Sequence, residues 1–354
     1  MTRDGTVVNP DVYTCRFALA MTESSQVVAA RRLATQLATE LGFDDTDTGK
    51  VALVATEVAT NLVKHAVHGQ LLIRQRLGAT ENGIELLALD KGPGMQNVAA
   101  CLQDGYSTAG SLGTGLGAIT RLASFWDIYS TPGPGTALLI RVSQTAPYPA
   151  VSRGASQALS IGVGGVCLPK AGEPVSGDAW GVVQQADRCL VMVSDGLGHG
   201  LLAADASWEA QRILQAHASY GPVRLLEVMH AALRKTRGAA VAIAELDARQ
   251  QHMVFAGVGN IAGQIILAHK THHLISFNGI VGHHMRRIQA FTYPWLADAL
   301  LILASDGLLT RWNLDAYPGL NVHDPSLIAG LLVRDFARGR DDVTVTVAKA
   351  APVV

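Results

Sequence analysis

Only four cysteines occur in the 354-residue chain, Cys15, Cys101, Cys167 and Cys189, and no two are spaced as C-x-x-C. That excludes a disulfide framework and a thiolate zinc site. The four read as small buried hydrophobes in a reducing compartment. An excess of one charge is also missing: 28 Lys and Arg stand against 29 Asp and Glu, for a net charge of −1. No block of like charges stands out, which excludes a non-specific nucleic-acid binder and a polybasic membrane anchor. No apolar run reaches the roughly 18 residues of a membrane span, and "MTRDGTVVNPDVYTCRF" at the start has no signal-peptide core. A cytoplasmic protein with no nucleic-acid or membrane partner is expected. Internal repeats and low-complexity tracts are absent as well.

At this length two domains are expected. "SQTAPYPAVSRGASQ" (143–157), with two prolines among small polar residues, reads as the linker. Before it, Ser24 or Ser25 is placed to cap a helix with apolar positions Val28, Leu33, Leu37 and Leu41. A second helix is expected over about Asp47–Ala66, with Val51, Val54, Val58 and Leu62 on one face. "QLLIRQRL" and "GIELLALD" read as strands, a helix follows near 115–124, and "FWDIYS", "TPGPG" and "TALLIRV" read as a hairpin. This half is an α+β layer. After the linker, eight apolar strand candidates alternate with helical stretches near 200–217, 222–235 and 325–337. That pattern predicts a sandwich of sheets covered by helices.

In the first half, Glu57 and Asn61 are four residues apart on the second helix, followed by Lys64, His65 and His68 in the same polar stripe. An Asn carbonyl beside a carboxylate can hold Mg²⁺ and orient a hydroxyl; a solvated polar face is the plainer alternative. In "LDKGPGM", Asp90 ends an apolar strand ahead of Gly92 and Gly94. A carboxylate there can accept the amino hydrogens of an adenine, or can simply make a turn. "QDGYSTAGSLGTGLGAITRL" (103–122) puts Gly110, Gly113, Gly115 and Gly117 ahead of a helix. A glycine-rich turn opening a helix suits a phosphate. It lacks the Lys-Ser or Lys-Thr of a P-loop and the G-x-G-x-x-G spacing.

"EVATNLVKHA", "DKGPGM" and "GTGLG" in this order resemble the Asn box and two glycine boxes of the GHKL ATPases. The resemblance is sharp to the RsbT-type switch kinases, over about 12–142, carried by the "DGYST" and "LGTGLG" segments. The resemblance implies a Bergerat α/β sandwich that binds Mg·ATP. Asn61 would ligate the Mg²⁺, and Glu57 would be the base for a Ser or Thr hydroxyl. Asp90 would read adenine, with Gly92 and Gly94 shaping the pocket and Thr136 nearby. Lys64 would belong to the nucleotide site. Gly113, Gly115 and Gly117 would let a lid close on the phosphates. No phospho-acceptor His helix precedes the domain, which argues against a histidine kinase.

In the second half, apolar strands border Asp178, Asp195, Asp306, and Asp341 with Asp342. One such acid is a cheap turn; four suggest convergence on one edge. Clustered carboxylates repel unless cations neutralise them, and oxygen-only donors favour Mg²⁺ or Mn²⁺ over zinc. Two ions can activate a water and clamp a phosphate for in-line attack. The pattern, with "DGLGHG" its most specific piece, resembles the SpoIIE/RsbX branch of the PPM phosphatases over about 158–349. That implies a PPM-type αββα sandwich with two metals. Asp178, Asp195 and the Gly196 carbonyl would bind or bridge them, with Asp306 and Asp341 completing the pair. Asp195 would be the central catalytic-site carboxylate. Asp342 ranks below Asp341, and Ser176 replaces the usual Gly. The phosphate-binding Arg of larger PPM enzymes has no counterpart. The histidines of "AHKTHHLISFNGIVGHHM" read as a surface loop rather than a zinc site, and His199 as a helix-start residue.

The combined expectation is a bifunctional partner-switching regulator. Its first domain would phosphorylate a Ser or Thr of a separate STAS-domain protein, of an anti-anti-sigma or stressosome-like kind; its second would remove such phosphates. The alternatives are a first domain that binds ATP without transferring phosphate, gating the phosphatase or sequestering a sigma factor, and a phosphatase whose first domain only docks the partner.

Overall fold

The computed structural model describes residues 17–77, 82–102, 115–144, 160–185, 188–267 and 270–351. The chain divides into two compact units, with residues 17–144 in one and 160–351 in the other. Most of the expected linker and the 103–114 part of the glycine-rich segment, including Gly110 and Gly113, lie outside the described residues.

The first unit runs β1 (Phe17–Ala20), α1 (Ser24–Glu40), α2 (Asp45–His65), β2 (Gln70–Leu77), β3 (Asn82–Leu89), α3 (Val98–Cys101), α4 (Gly115–Leu122), β4 (Phe125–Thr131) and β5 (Gly135–Ser143). The strands form one antiparallel sheet in the order β1-β2-β3-β5-β4. Ser24 begins α1 but does not cap it. Glu23 is the cap, and its N–H donates to Gln26 Oε1 at 2.9 Å. The apolar stripe of α1 is also shifted: Val28 is 69% exposed, whereas Ala30, Ala34, Leu37 and Ala38 are buried. Small residues there let α1 lie close to α2. Asp44 caps α2 through Oδ1, which accepts from Asp47 N at 2.7 Å. Val51, Val54, Val58 and Leu62 face the core as the spacing predicts. The helix ends at His65, so His68 is not on its polar stripe.

Strand alternation sorts the sheet into two faces. Ile73, Leu86 and Ile140 pair across β2, β3 and β5 and belong to the same core as the α2 valines. One residue further along, Arg74, Glu85, Arg141 and Phe125 form the opposite-face row. Arg74 Nε and Arg141 Nε donate to the two Glu85 oxygens at 2.8 and 2.9 Å, and the Arg141 guanidinium lies 4.8 Å from the Phe125 ring centroid. Burial pushes the Glu85 carboxyl up, but the two guanidinium groups outweigh it and hold its pKa below the usual value.

The second unit contains β6 (Ser160–Leu168), β7 (Asp178–Gln184), β8 (Arg188–Gly196), α5 (Leu201–Ala216), α6 (Pro222–Ala232), β9 (Ala239–Asp247), β10 (His252–Val258), β11 (Ala262–Leu267), β12 (Lys270–His273), β13 (Phe291–Pro294), β14 (Leu300–Ala304), α7 (Pro325–Phe336) and β15 (Val343–Ala351). Two antiparallel sheets, β13-β10-β9-β8-β7 and β12-β11-β14-β15-β6, face each other. Trp180, Val191, Val193, Phe255, Leu301, Leu303 and Trp295 fill the space between them. A second core joins α5 and α6 to the outer side of β8 and β9 through Met192, Ala206, Ile213, Leu226 and Ile243. On the other sheet α7 packs against β6 and β15, so closely that a methyl at Gly164 would lie 2.4 Å from Ser326 N. This is the expected αββα layering. His272 and His273 lie on the exposed edge strand β12 rather than in a loop.

Removing the Glu85 carboxylate leaves two guanidinium groups in a buried row. Glu85→Ala is therefore expected to destabilise the first unit by about 3–5 kcal/mol in urea unfolding. Because the folded pKa is lowered, the Glu85 contribution is complete above its ordinary value of 4.5. It fades as pH falls through the lowered value. The unaltered chain should therefore lose stability in acid more steeply than Glu85→Ala.

Candidate functional sites

In the first unit, Glu57 and Asn61 are one turn apart on α2 and half-buried, while Lys64 is exposed near its end. The start of α4 closes directly on the first two. A methyl at Gly115 would stand 3.0 Å from Glu57 Oε2, 3.6 Å from Asn61 Oδ1 and 3.7 Å from Asn61 Nδ2. Glycine at 115 lets a helix N-terminus, whose first N–H groups have no partner within the helix, lie close to this pair. Gly117 is buried one half-turn further on.

Asp90 follows β3. Its N–H donates to Thr136 O at 2.9 Å, and its Oδ1 accepts from Gly92 N at 2.6 Å. The carboxylate thus makes the plain Asp-x-Gly turn, while the Asp90 backbone is bonded to Thr136. Lys91 N bonds Val67 O at 2.8 Å, which ties the turn to the end of α2. Gly94, at φ +68°, is pressed on β4: a methyl there would come within 2.1 Å of Thr131 O. Thr136 Oγ1 lies 2.9 Å from Ser130 Oγ, which also accepts from Met95 N at 2.9 Å. Sequence reading missed Ser130 and Gly135. At φ +91° Gly135 brings the β4–β5 turn against the Asp90 carbonyl, where a methyl would stand 2.1 Å away. The described residues thus combine glycines at close backbone approaches, an Asp-x-Gly turn after β3, and an Asn-Glu pair beside the start of α4.

In the second unit, Asp178 on β7 and Asp195 on β8 are directly opposite in the ladder. Like charges so placed are destabilising. Asp178 is buried and its Oδ2 has no hydrogen-bond partner among the described residues. Its N–H donates to Ser176 Oγ at 3.2 Å, so Ser176 shapes the turn into β7. The facing sheet delivers Asp306 from the end of β14, and Asp341 and Asp342 from the approach to β15. Burial foremost, then Asp195 and Asp342, raise the Asp178 pKa well above its ordinary value, against the Ser305 and Thr344 hydroxyls. Burial, then Asp306, Asp341 and Asp342, push Asp195 up to about 7. All five carboxylates therefore share one edge electrostatically. Among the described residues no three acid, His or Cys side chains close into a ready metal cage. An orphaned buried oxygen within an all-oxygen donor set nonetheless fits Mg²⁺ or Mn²⁺, since Mg²⁺ keeps several waters and takes only one or two carboxylates.

Asp342 has a different task. Its Oδ1 accepts from Lys170 N at 2.7 Å and its Oδ2 from Gly177 N at 2.9 Å, so it pins the loop before β7. Asp341 is exposed, with Oδ1 accepting from Asp342 N at 3.0 Å. The Gly196 N–H bonds Gly177 O at 3.1 Å, which ties the two loops together. His199 Nδ1 pairs with Glu173 Oε1 at 2.6 Å just before α5. Sequence reading missed Asn260, whose Nδ2 donates to Asp306 Oδ2 at 2.7 Å. A search for acids alone could not have found it.

Residues 20–142 match the model of the histidine kinase-like ATPase domain, and 185–351 match that of stage II sporulation protein E. The chain is 36% identical over 112 residues to the serine/threonine-protein kinase RsbT of Bacillus subtilis (strain 168), covering 32% of this chain and 84% of RsbT. It is an RsbT-like domain joined to a SpoIIE-like domain. Phosphoserine phosphatase RsbX of the same organism is 24% identical over 144 residues, 40% of this chain and 71% of RsbX. A crystal structure of RsbX with magnesium shares the fold, at TM-score 0.50 and 20% identity over 54% of this chain and 96% of that one. A chain from a bacterial stressosome study aligns at TM-score 0.51 and 28% identity, over 54% of this chain and all of its own. The SpoIIE-like domain thus carries the PPM-type fold. No described helix is long and apolar enough to cross a membrane.

The raised acids give the SpoIIE-like domain a signed pH dependence. An Asp whose folded pKa is raised adds stability below its ordinary value of 3.8 and loses it as pH climbs through the folded value, about 7 for Asp195. The metal-free chain should therefore melt at falling temperature from pH 4 to pH 7. Asp178→Asn should raise the melting temperature at pH 7 and blunt the response to added Mg²⁺. An unchanged melting temperature in that variant would contradict the repulsion.

Proposed function

We propose that the chain is a bifunctional partner-switching regulator: a Mg·ATP-dependent protein Ser/Thr kinase and a metal-dependent phosphoserine/phosphothreonine phosphatase. The observation that carries the phosphatase half is the Asp178–Asp195 cross-strand pair with its orphaned oxygen, ringed by Asp306 and Asp341. Asp178, Asp195, the Gly196 carbonyl, Asp306 and Asp341 would hold two Mg²⁺ or Mn²⁺ ions. When bound, such ions supply counter-charge and an acidified water for in-line attack on a phosphate. Asn260 orients Asp306, and Asp342 and Ser176 fix the loop that carries Asp178. Leu197, Leu201 and Leu202 are 52%, 60% and 57% exposed beside the Asp195 loop, an apolar border suited to a protein substrate rather than a free metabolite.

In the RsbT-like domain, Asp90, Gly92, Gly94 and Thr136 would receive the adenine, with Lys64 toward the nucleotide. Asn61 would hold Mg²⁺, and Glu57 would accept the proton of the attacking hydroxyl. The Gly115 approach to both supports their acting on one phosphate group. Gly113, Gly115 and Gly117 would supply the lid. The likeness to RsbT and RsbX points to a STAS-domain anti-anti-sigma or stressosome-like protein as the substrate, with a sigma factor as a further partner. A phosphate adds about −1.5 to −2 charges, enough to make or break a docking surface.

The test is incubation of the full chain with γ-labelled Mg·ATP and a STAS-domain protein. Label transfer should fall at least tenfold in Glu57→Ala, given the typical weight of a general base, and label should accumulate in Asp195→Ala above the level of the unaltered chain. Absence of transfer in the Asp195→Ala background would sink the kinase half and leave an ATP-binding or docking domain. Equal Mn²⁺-dependent phosphopeptide hydrolysis by Asp195→Ala would sink the phosphatase half.

A further inference from the structure

The carboxylate edge carries strong negative charge, yet its substrate phosphate is also an anion, so a cationic side chain beside that edge is needed to receive it. We propose that Arg237, from the turn before β9, is the phosphate-binding residue of the SpoIIE-like domain; this rests on the phosphatase reading above.

The ladder explains how Arg237 reaches the site. Gly196 at the end of β8 pairs with Ala239 at the start of β9, and Leu197 N still bonds Gly238 O at 3.0 Å beyond the last pair. One step further, Arg237 falls opposite Gly198. A methyl at Gly198, which sits at φ +93°, would stand 2.9 Å from Arg237 Nη1. The guanidinium thus lies against the D-G-L-G loop, three residues from Asp195. On its other side this loop meets the metal edge: the Gly198 carbonyl would be 3.3 Å, and Asp342 Oδ2 2.8 Å, from a methyl at Gly177, the residue preceding Asp178. A methyl at Gly198 would meet the guanidinium and one at Gly177 the Gly198 carbonyl, so the same loop backbone runs beside both.

The turn that presents Arg237 is itself fixed. Gly238 N donates to Thr236 Oγ1 at 3.0 Å, Thr236 N to Leu233 O at 2.9 Å, and His283 Nε2 lies 3.2 Å from Thr236 O. The side chain is exposed and forms no hydrogen bond or ion pair among the described residues. The nearby acid Glu173 is already bonded to His199. An arginine left open beside a dianion-processing edge, on a braced turn, matches the planar fork that phosphate oxygens accept.

Two readouts on the full chain test this: calorimetric binding of inorganic phosphate in saturating Mg²⁺, and p-nitrophenyl phosphate hydrolysis in Mn²⁺. In Arg237→Ala, phosphate affinity should fall about tenfold or more and KM rise by a similar factor. Arg237→Lys should recover part of both, keeping the charge but not the fork. The Mn²⁺ activation midpoint should stay within twofold, as a merely structural role would not allow. Phosphate affinity within twofold of the unaltered chain in Arg237→Ala overturns the proposal, as does a Mn²⁺ midpoint that shifts in proportion. Failure of the phosphatase reading is distinguishable: hydrolysis would then be indifferent to Asp195→Ala. Arg237-dependent phosphate binding in that case would still support the site, and Arg237-independent binding would remove it.

Discussion

Two like charges face each other across a β-ladder, and the SpoIIE-like domain is built around that conflict. Asp178 and Asp195 would be neutral or absent in a sheet selected for stability alone. Here the register that places Trp180 opposite Val193 in the inter-sheet core also places the acids opposite each other. A slip of one residue would relieve the repulsion but turn the apolar side chains outward. The core thus enforces the carboxylate geometry. The facing sheet does likewise: Ala304 pairs with Val345 in β14 and β15, which brings Asp306 and Asp342 to the same edge, where Ser305 N bonds Thr344 O at 3.0 Å.

The RsbT-like domain solves the corresponding problem with glycine instead of charge. Its sites are gaps held open by close backbone approach. Gly94 and Gly135 interlock the "DKGPG" turn with the β4–β5 hairpin, and Gly115 brings α4 onto Glu57 and Asn61. Side chains at Gly94 and Gly135 would collide with the Thr131 and Asp90 carbonyls and force the two turns apart. In the proposed function both sets of special residues would position a phosphate, one through N–H groups and an Asn, the other through acids that call for cations.

Much of this was legible in the chain. The valine stripe of α2, the eight strand candidates of the second half and the strand-end acids all lie where periodicity places them. What escaped was of three physical kinds. Capping depended on Gln26 reaching back to Glu23, so the serines after it were already helical. The α1 stripe used alanines, whose small size marks close helix packing and not strong hydrophobicity. Positioning residues gave no signal of their own: Asn260, Ser130 and Gly135 acquire meaning only from the partners that folding brings beside them. Asp342 shows the converse, because an acid in the right motif proved to bind two backbone amides.

The central claim is that the fold drives carboxylates together to hold cations. Titration of the nucleotide-free chain with Mn²⁺, counting bound ions by electron paramagnetic resonance, tests it most directly. The account predicts two ions per chain, and the loss of at least one in Asp195→Ala with the fold intact by circular dichroism. An unchanged count in that variant, or no bound Mn²⁺ in the unaltered chain, would contradict it.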